Sequence, residues 1–80
     1  MKRIIDNEMA VNVTGSNIRK LRKKAGLSQR QLSERMELEA VYTCRGSISR
    51  IENGQRAVTD IELAAIATVL GVTVNELFGI

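Results

Sequence analysis

Three segments open on one four-residue pattern, Ser/Thr-x-x-Glu/Gln: at Ser28 to Gln31, at Thr59 to Glu62 and at Thr73 to Glu76. In this pattern the hydroxyl accepts a backbone N–H three residues on, while the Glu or Gln accepts the N–H of the first residue. Two donors that a helix start would otherwise leave orphaned are thereby satisfied. Three such starts in 80 residues leave little chain for a sheet. Gly26, Gly54 and Gly71 stand where left-handed C-terminal caps would close three helices. The chain has no proline, so its boundaries must be read from caps and glycines.

These signals divide the chain into five short helices. The first runs from about Ser16 to Lys24, with Ile18, Leu21 and Ala25 at helical spacing. A second starts at Ser28, buries Leu32 and Met36, and frays between Met36 and Ala40. The third covers about 44–53. The fourth spans Asp60 to Leu70, with Leu63, Ile66, Ala67 and Leu70 inward on the i, i+3, i+4, i+7 pattern, and the fifth is Val74 to Phe78. Residues 1–15 show no helical period, and the alternation from Met9 to Val13 fits an N-terminal arm or a short strand. The expected fold class is all-α: an arm at 1–15 and one helical domain at 16–80.

Charge divides the chain unevenly. Residues 19–56 carry ten basic side chains (19, 20, 22, 23, 24, 30, 35, 45, 50, 56) and four acidic ones (34, 37, 39, 52), a local +6. Residues 57–80 carry three acids (60, 62, 76) and no Lys or Arg, a local −3. A block of this kind is an electrostatic footprint for a polyanion. A membrane surface would want Trp, Phe or Leu opposite the basic face, but the chain has no Trp and a single Phe outside the block. No apolar run is long enough to span a bilayer, and Asp6, Asn7 and Glu8 interrupt any signal-peptide core. The expected location is cytoplasmic and nucleoid-associated, with no membrane partner. One cysteine and no histidine make a protein-ligated metal improbable, and no cofactor is expected. Cys44 reads as a small helix-start or core residue. No nucleophile–base pair or phosphate-cradling glycine loop stands out, so an enzyme is not expected.

The third helix carries the question of function. At about 100° per residue, Ser47, Ile48 and Ile51 fall on one side of CRGSISRIENGQR, and Arg45, Gly46, Ser49, Arg50 and Asn53 on the other. Guanidinium forks and an Asn amide suit phosphate oxygens and base edges better than they suit an idle solvated face.

The succession NIRKLRKKAGLSQRQLSERM, then SISRIENGQR, then LAAIATVLGVTVNELF, resembles the helix-turn-helix family of Cro/C1-type (XRE-like) regulators, which includes phage repressors and Cro proteins. The resemblance covers roughly residues 16–78 and rests on three motifs in the right order. It implies a five-helix lambda-repressor-like domain whose helices 2 and 3 form the helix-turn-helix, the third lying in the major groove of DNA. Carried over residue by residue, it makes Arg45, Gly46, Ser49 and Arg50 the base-reading positions. Gln29 would grip a phosphate and brace the recognition helix; Arg30, Asn53, Gln55 and Arg56 would follow the sugar-phosphate backbone. Arg22 and Glu52 match a structural ion pair between helices 1 and 3.

Two departures bear on detail. Eleven residues separate Met36 from Ile48, a longer run than the family's usual turn. Either helix 2 is longer or the turn is a real loop holding Glu37, Glu39 and Tyr42, acids that screen the groove or simply solvate it. Gly46 stands where the family often has a polar reader, and admits either close backbone approach to DNA or plain drift.

Two functions remain open at this point. One is a sequence-specific regulator, a repressor by preference, bound as a homodimer to a pseudo-palindromic operator in double-stranded DNA. The other is an antirepressor or antitoxin-like protein-interaction module of the same fold. Ile61, Ala64, Ala65, Val69, Leu77, Phe78 and Ile80 supply either a dimer surface or a broader core. With no second domain after Ile80, no small-molecule ligand is expected.

Overall fold

The computed structural model describes residues 10–80. Most of the expected arm or strand, residues 1–9, lies outside the described residues. Five helices follow in order: α1 Gly15–Lys24, α2 Gln29–Leu38, α3 Arg45–Glu52, α4 Asp60–Leu70 and α5 Val74–Leu77. No strand occurs among the described residues.

The local signals are realised. Ser28, Thr59 and Thr73 each form a complete capping box with Gln31, Glu62 and Glu76. Gly26, Gly54 and Gly71 take positive φ after α1, α3 and α4. Asp60 and Glu62 add negative charge to the first turn of α4, and Arg22, Lys23 and Lys24 add positive charge to the last turn of α1, each matching the helix dipole. α2 continues to Leu38 and closes through Ala40 at φ 62, with Val41 N–H returning to the Met36 carbonyl at 3.1 Å. The separation between Met36 and Ile48 is thus partly a longer α2 and partly a true loop at 39–44. Ala40 holds a conformation that glycine adopts more cheaply, at a cost of roughly 1–2 kcal/mol.

One core joins all five helices. Ile18 of α1, Leu32 and Met36 of α2, Ile48 and Ile51 of α3, Leu63, Ala65, Ile66 and Ala67 of α4, and Leu77 of α5 are buried together. Two expectations need correction, and one open alternative is decided. Ala25 is exposed, and Leu27 is buried in its place, because the cap at Gly26 turns the chain back and lays the next residue over the helix end. Leu70 is only half-buried. Ala65 and Leu77 belong to the core, so of the apolar surplus only Ile61, Ala64 and Ile80 are exposed, with Val69 and Phe78 half-buried.

The chain before α1 is tied to the loop after α3. Val11 N–H donates to the Gly54 carbonyl at 2.9 Å, and Asn12 Nδ2 donates to the carbonyls of Ile51 at 2.9 Å and Arg56 at 2.8 Å. A Cβ at Gly15 would collide with the Ile51 carbonyl oxygen, so a glycine lets α1 start directly against the end of α3.

Candidate nucleic-acid interface

α3 is eight residues long and has little apolar surface with which to anchor itself. Ile48 and Ile51 point into the core. The rest of its anchorage is polar and centres on Glu52. The Glu52 Oε2 accepts from Arg22 Nε at 2.7 Å, and Oε1 accepts from Arg22 Nη2 at 2.9 Å and from Gln29 Nε2 at 3.0 Å. Arg22 Nη1 in turn donates to the Leu27 carbonyl at 2.7 Å. Both side chains are almost fully buried, 8% and 1% exposed, so this fork of charge-assisted bonds joins α1, α2 and α3 away from water.

With its back held in this way, α3 presents Arg45, Gly46 and Arg50 to solvent, with Ser49 half-buried between them and Asn53 exposed at the C-cap. Neither Arg45 nor Arg50 has a carboxylate partner among the described residues. Arg50 Nη2 donates to Ser47 Oγ at 3.2 Å. A Cβ at Gly46 would meet only Arg50 Nη1, at 3.9 Å. The protein itself does not require glycine there, and the effect of glycine is a bare backbone on the outward face. Cys44 sits exposed at the N-cap with its thiol donating to Ser47 Oγ at 3.3 Å. Hydrogen bonding with Ser47, and then the nearby Arg50 charge, lower its pKa.

The remaining expected site residues fall around this helix. Gln29, at the start of α2, braces Glu52 with its amide. Arg30 is exposed and lies 3.7 Å from the exposed Glu34, a pair that contributes little in water. Gln55 is exposed, with its N–H on the Arg50 carbonyl at 2.8 Å. Arg56 has an internal partner: Nη1 and Nη2 donate to Glu62 Oε1 and Oε2, each at 3.0 Å.

In the sequence Glu62 stands out as the end of a capping box and as one of three acids in the C-terminal stretch, and not as a partner of Arg56. It is buried, and it also accepts from Thr43 Oγ1 at 2.7 Å and Thr59 N–H at 3.0 Å. Burial pushes its pKa up. The bonds from Arg56, the Thr59 backbone and Thr43, with the Arg56 charge, outweigh that and bring it from 4.5 to about 2. No local signal announces this cluster, because Thr43, Arg56 and Glu62 belong to two loops and a helix. No group of His, Cys, Asp and Glu among the described residues could hold a metal ion, and no described helix is long and apolar enough to cross a membrane.

A short helix locked from behind, preceded by a capped partner helix and carrying on its free face guanidiniums with no carboxylate partner among the described residues, defines a helix-turn-helix DNA-binding domain. The chain belongs to the helix-turn-helix family of Cro/C1-type regulators, whose family model matches residues 18–77. Among curated proteins it is similar to the control protein C.MunI of Mycoplasma sp, 40% identical over 65 residues that span 80% of this chain and 81% of that one. Among solved structures it is similar to the restriction-modification controller protein C.AhdI from Aeromonas hydrophila, at 32% identity and a TM-score of 0.72, covering 81% of this chain and 87% of that one. The clp gene regulator ClgR from Corynebacterium glutamicum has the same TM-score at 26% identity, with 81% of this chain and 64% of that chain covered.

Proposed function

We propose that the chain is a sequence-specific transcriptional regulator of the restriction-modification controller type, acting chiefly as a repressor. It binds a pseudo-palindromic operator in double-stranded DNA as a homodimer. The observation that carries this reading is the outward face of α3, where Arg45 and Arg50 flank a bare backbone at Gly46 and no carboxylate among the described residues neutralises them. Similarity to the control protein C.MunI and the restriction-modification controller protein C.AhdI supports the controller role. A protein-docking module without specific DNA binding is not favoured, since the similar proteins are regulators.

In this mechanism α3 lies in the major groove. Arg45 and Arg50 present forks to the O6 and N7 acceptors of guanine, each good bidentate pair discriminating by about 1–3 kcal/mol. Ser49 adds a hydroxyl, and Gly46 lets the backbone approach the base edges. The N-terminus of α2 at Gln29 offers backbone N–H groups to a phosphate, while Arg30, Asn53 and Gln55 follow the backbone and set register without reading sequence. One such face reads few base pairs, so two copies share the operator. The exposed Ile61, Ala64 and Ile80, beside Val69 and Phe78, supply apolar surface for that pairing. The protein works on the nucleoid, in the cytoplasm.

The test is in vitro selection from randomised duplexes at about 150 mM salt, where purely electrostatic binding is weak. An inverted repeat with half-sites about one helical turn apart, 10 base pairs, is the expected result. Salt-sensitive binding with no emergent motif would sink the proposal.

A further inference from the structure

α3 reads bases only if it is held at one angle and one depth, and its two flanks are weak places to hold it. On the N-terminal side comes the long loop at 39–44, ending in Cys44, whose side chain makes no capping bond. On the C-terminal side the chain turns through Gly54 at positive φ. Neither flank has a regular element to stiffen it. Both end on the same carboxylate.

Thr43, immediately before the N-cap, is 2% exposed. Its carbonyl accepts from Ser33 Oγ of α2 at 2.7 Å, and its hydroxyl donates to Glu62 Oε2 of α4 at 2.7 Å. Arg56, just past the turn, places both terminal nitrogens on Glu62 at 3.0 Å, and its carbonyl accepts from Asn12 Nδ2 at 2.8 Å. Glu62 itself is rigidly placed, since its capping box fixes it to the first turn of α4. Among the described residues no other side chain bonds to both flanks of α3.

We propose that Glu62 is a positioning residue for DNA reading: from α4 it clamps Thr43 before the recognition helix and Arg56 after it, and so sets the pose of a helix to which it makes no hydrogen bond of its own. Arg56 then acts from behind the interface, through Glu62, and not as a phosphate contact. The inference rests on the reading of α3 as a base-reading helix. It also accounts for how this chain carries a longer loop into α3 without losing register, because a buried hydroxyl anchors the loop's last turn. A displacement of the reading forks of about 1 Å is enough to spoil bidentate geometry.

The test measures affinity for the selected operator and for a scrambled duplex, with the full chain, well below each variant's melting temperature. The variants are Thr43→Val, Thr43→Ser, Glu62→Gln and Arg56→Gln. Glu62→Gln keeps a residue suited to the capping box, and Thr43→Val keeps the shape and loses the hydroxyl. The preference for operator over scrambled duplex should fall about tenfold for Thr43→Val and for Glu62→Gln, a charge-assisted hydrogen bond being at stake. Thr43→Ser should restore it, and the double variant should lose little more than either single one. Arg56→Gln should lose preference with an unchanged salt slope. Lowered melting temperatures with the preference intact would overturn the clamp and leave Glu62 a purely structural group. Equal weakening of both duplexes by Arg56→Gln, with the salt slope reduced by about one, would return Arg56 to the phosphates. A wild-type chain with no preference for any duplex would overturn the reading of α3 together with the clamp, whereas preference kept in every variant overturns the clamp alone.

Discussion

α3 and α4 lie in one small core and are held there by opposite means. α4 carries Leu63, Ala65, Ile66 and Ala67 inward and leaves Asp60, Ile61, Ala64 and Thr68 exposed; it is held largely by apolar burial, which is non-directional and tolerant of small shifts. α3 has two isoleucines inward, and its position depends on Glu52 bonding to Arg22 and Gln29 and on Glu62 bonding to its flanks. Hydrogen bonds to charged groups are directional, so they specify an angle as well as a contact. The helix that must meet base edges is the one whose pose is fixed by geometry. The helix that only supports it is fixed by area.

The largest expected effect breaks that contrast at its centre. Glu52→Ala leaves Arg22 buried without its carboxylate, and equilibrium denaturation should show a loss of about 3–5 kcal/mol. A loss below about 1 kcal/mol, the range of an exposed pair, would mean that apolar contacts alone hold α3. Acid is the next lever. The folded pKa of Glu62 is depressed, so its contribution is fully present above the unfolded value of 4.5 and is lost as pH falls from about 5 through about 2. A shift of that size corresponds to about 3 kcal/mol, and urea melts across that window should be flatter for Glu62→Gln than for the wild type. Equal pH slopes would remove Glu62 as the source.

On the reading face the cost should appear in binding and not in stability. Arg50→Ala should lose about 1–3 kcal/mol of operator affinity and relax selection at one base position, with the unfolding free energy changed by less than about 0.5 kcal/mol. The same loss on every duplex would take Arg50 out of the base-reading set. The smallest effect belongs to α4, where Ile66→Val should cost about 0.5–1.5 kcal/mol in denaturation and leave the operator preference untouched. A changed preference would show that α4 controls pose through packing as well as through Glu62.

The helix starts were legible because a capping box is local: its donor and acceptor lie three residues apart, and Ser28, Thr59 and Thr73 formed theirs whatever the rest of the chain did. The outward arc of α3 was legible for a similar reason, since helical geometry alone separates Arg45, Gly46 and Arg50 from Ile48 and Ile51. Leu27 in place of Ala25 was less so, because burial there depended on how the chain leaves a helix. Asn12 was invisible, its bonds reaching 39 and 44 residues along the chain.

By itself, then, the sequence determined where the helices begin, which side of α3 faces out, the basic block and the family, but not where α2 ends. All of these depend on neighbours within a turn or on the order of short motifs. The tertiary structure alone decided that Ala65 and Leu77 belong to the core, and that Arg56 turns inward to Glu62. It also decided that one carboxylate on α4 serves both flanks of the recognition helix. Those outcomes depend on which distant groups share a low-dielectric space, and a buried charge takes whichever partners the folded chain brings within hydrogen-bonding distance.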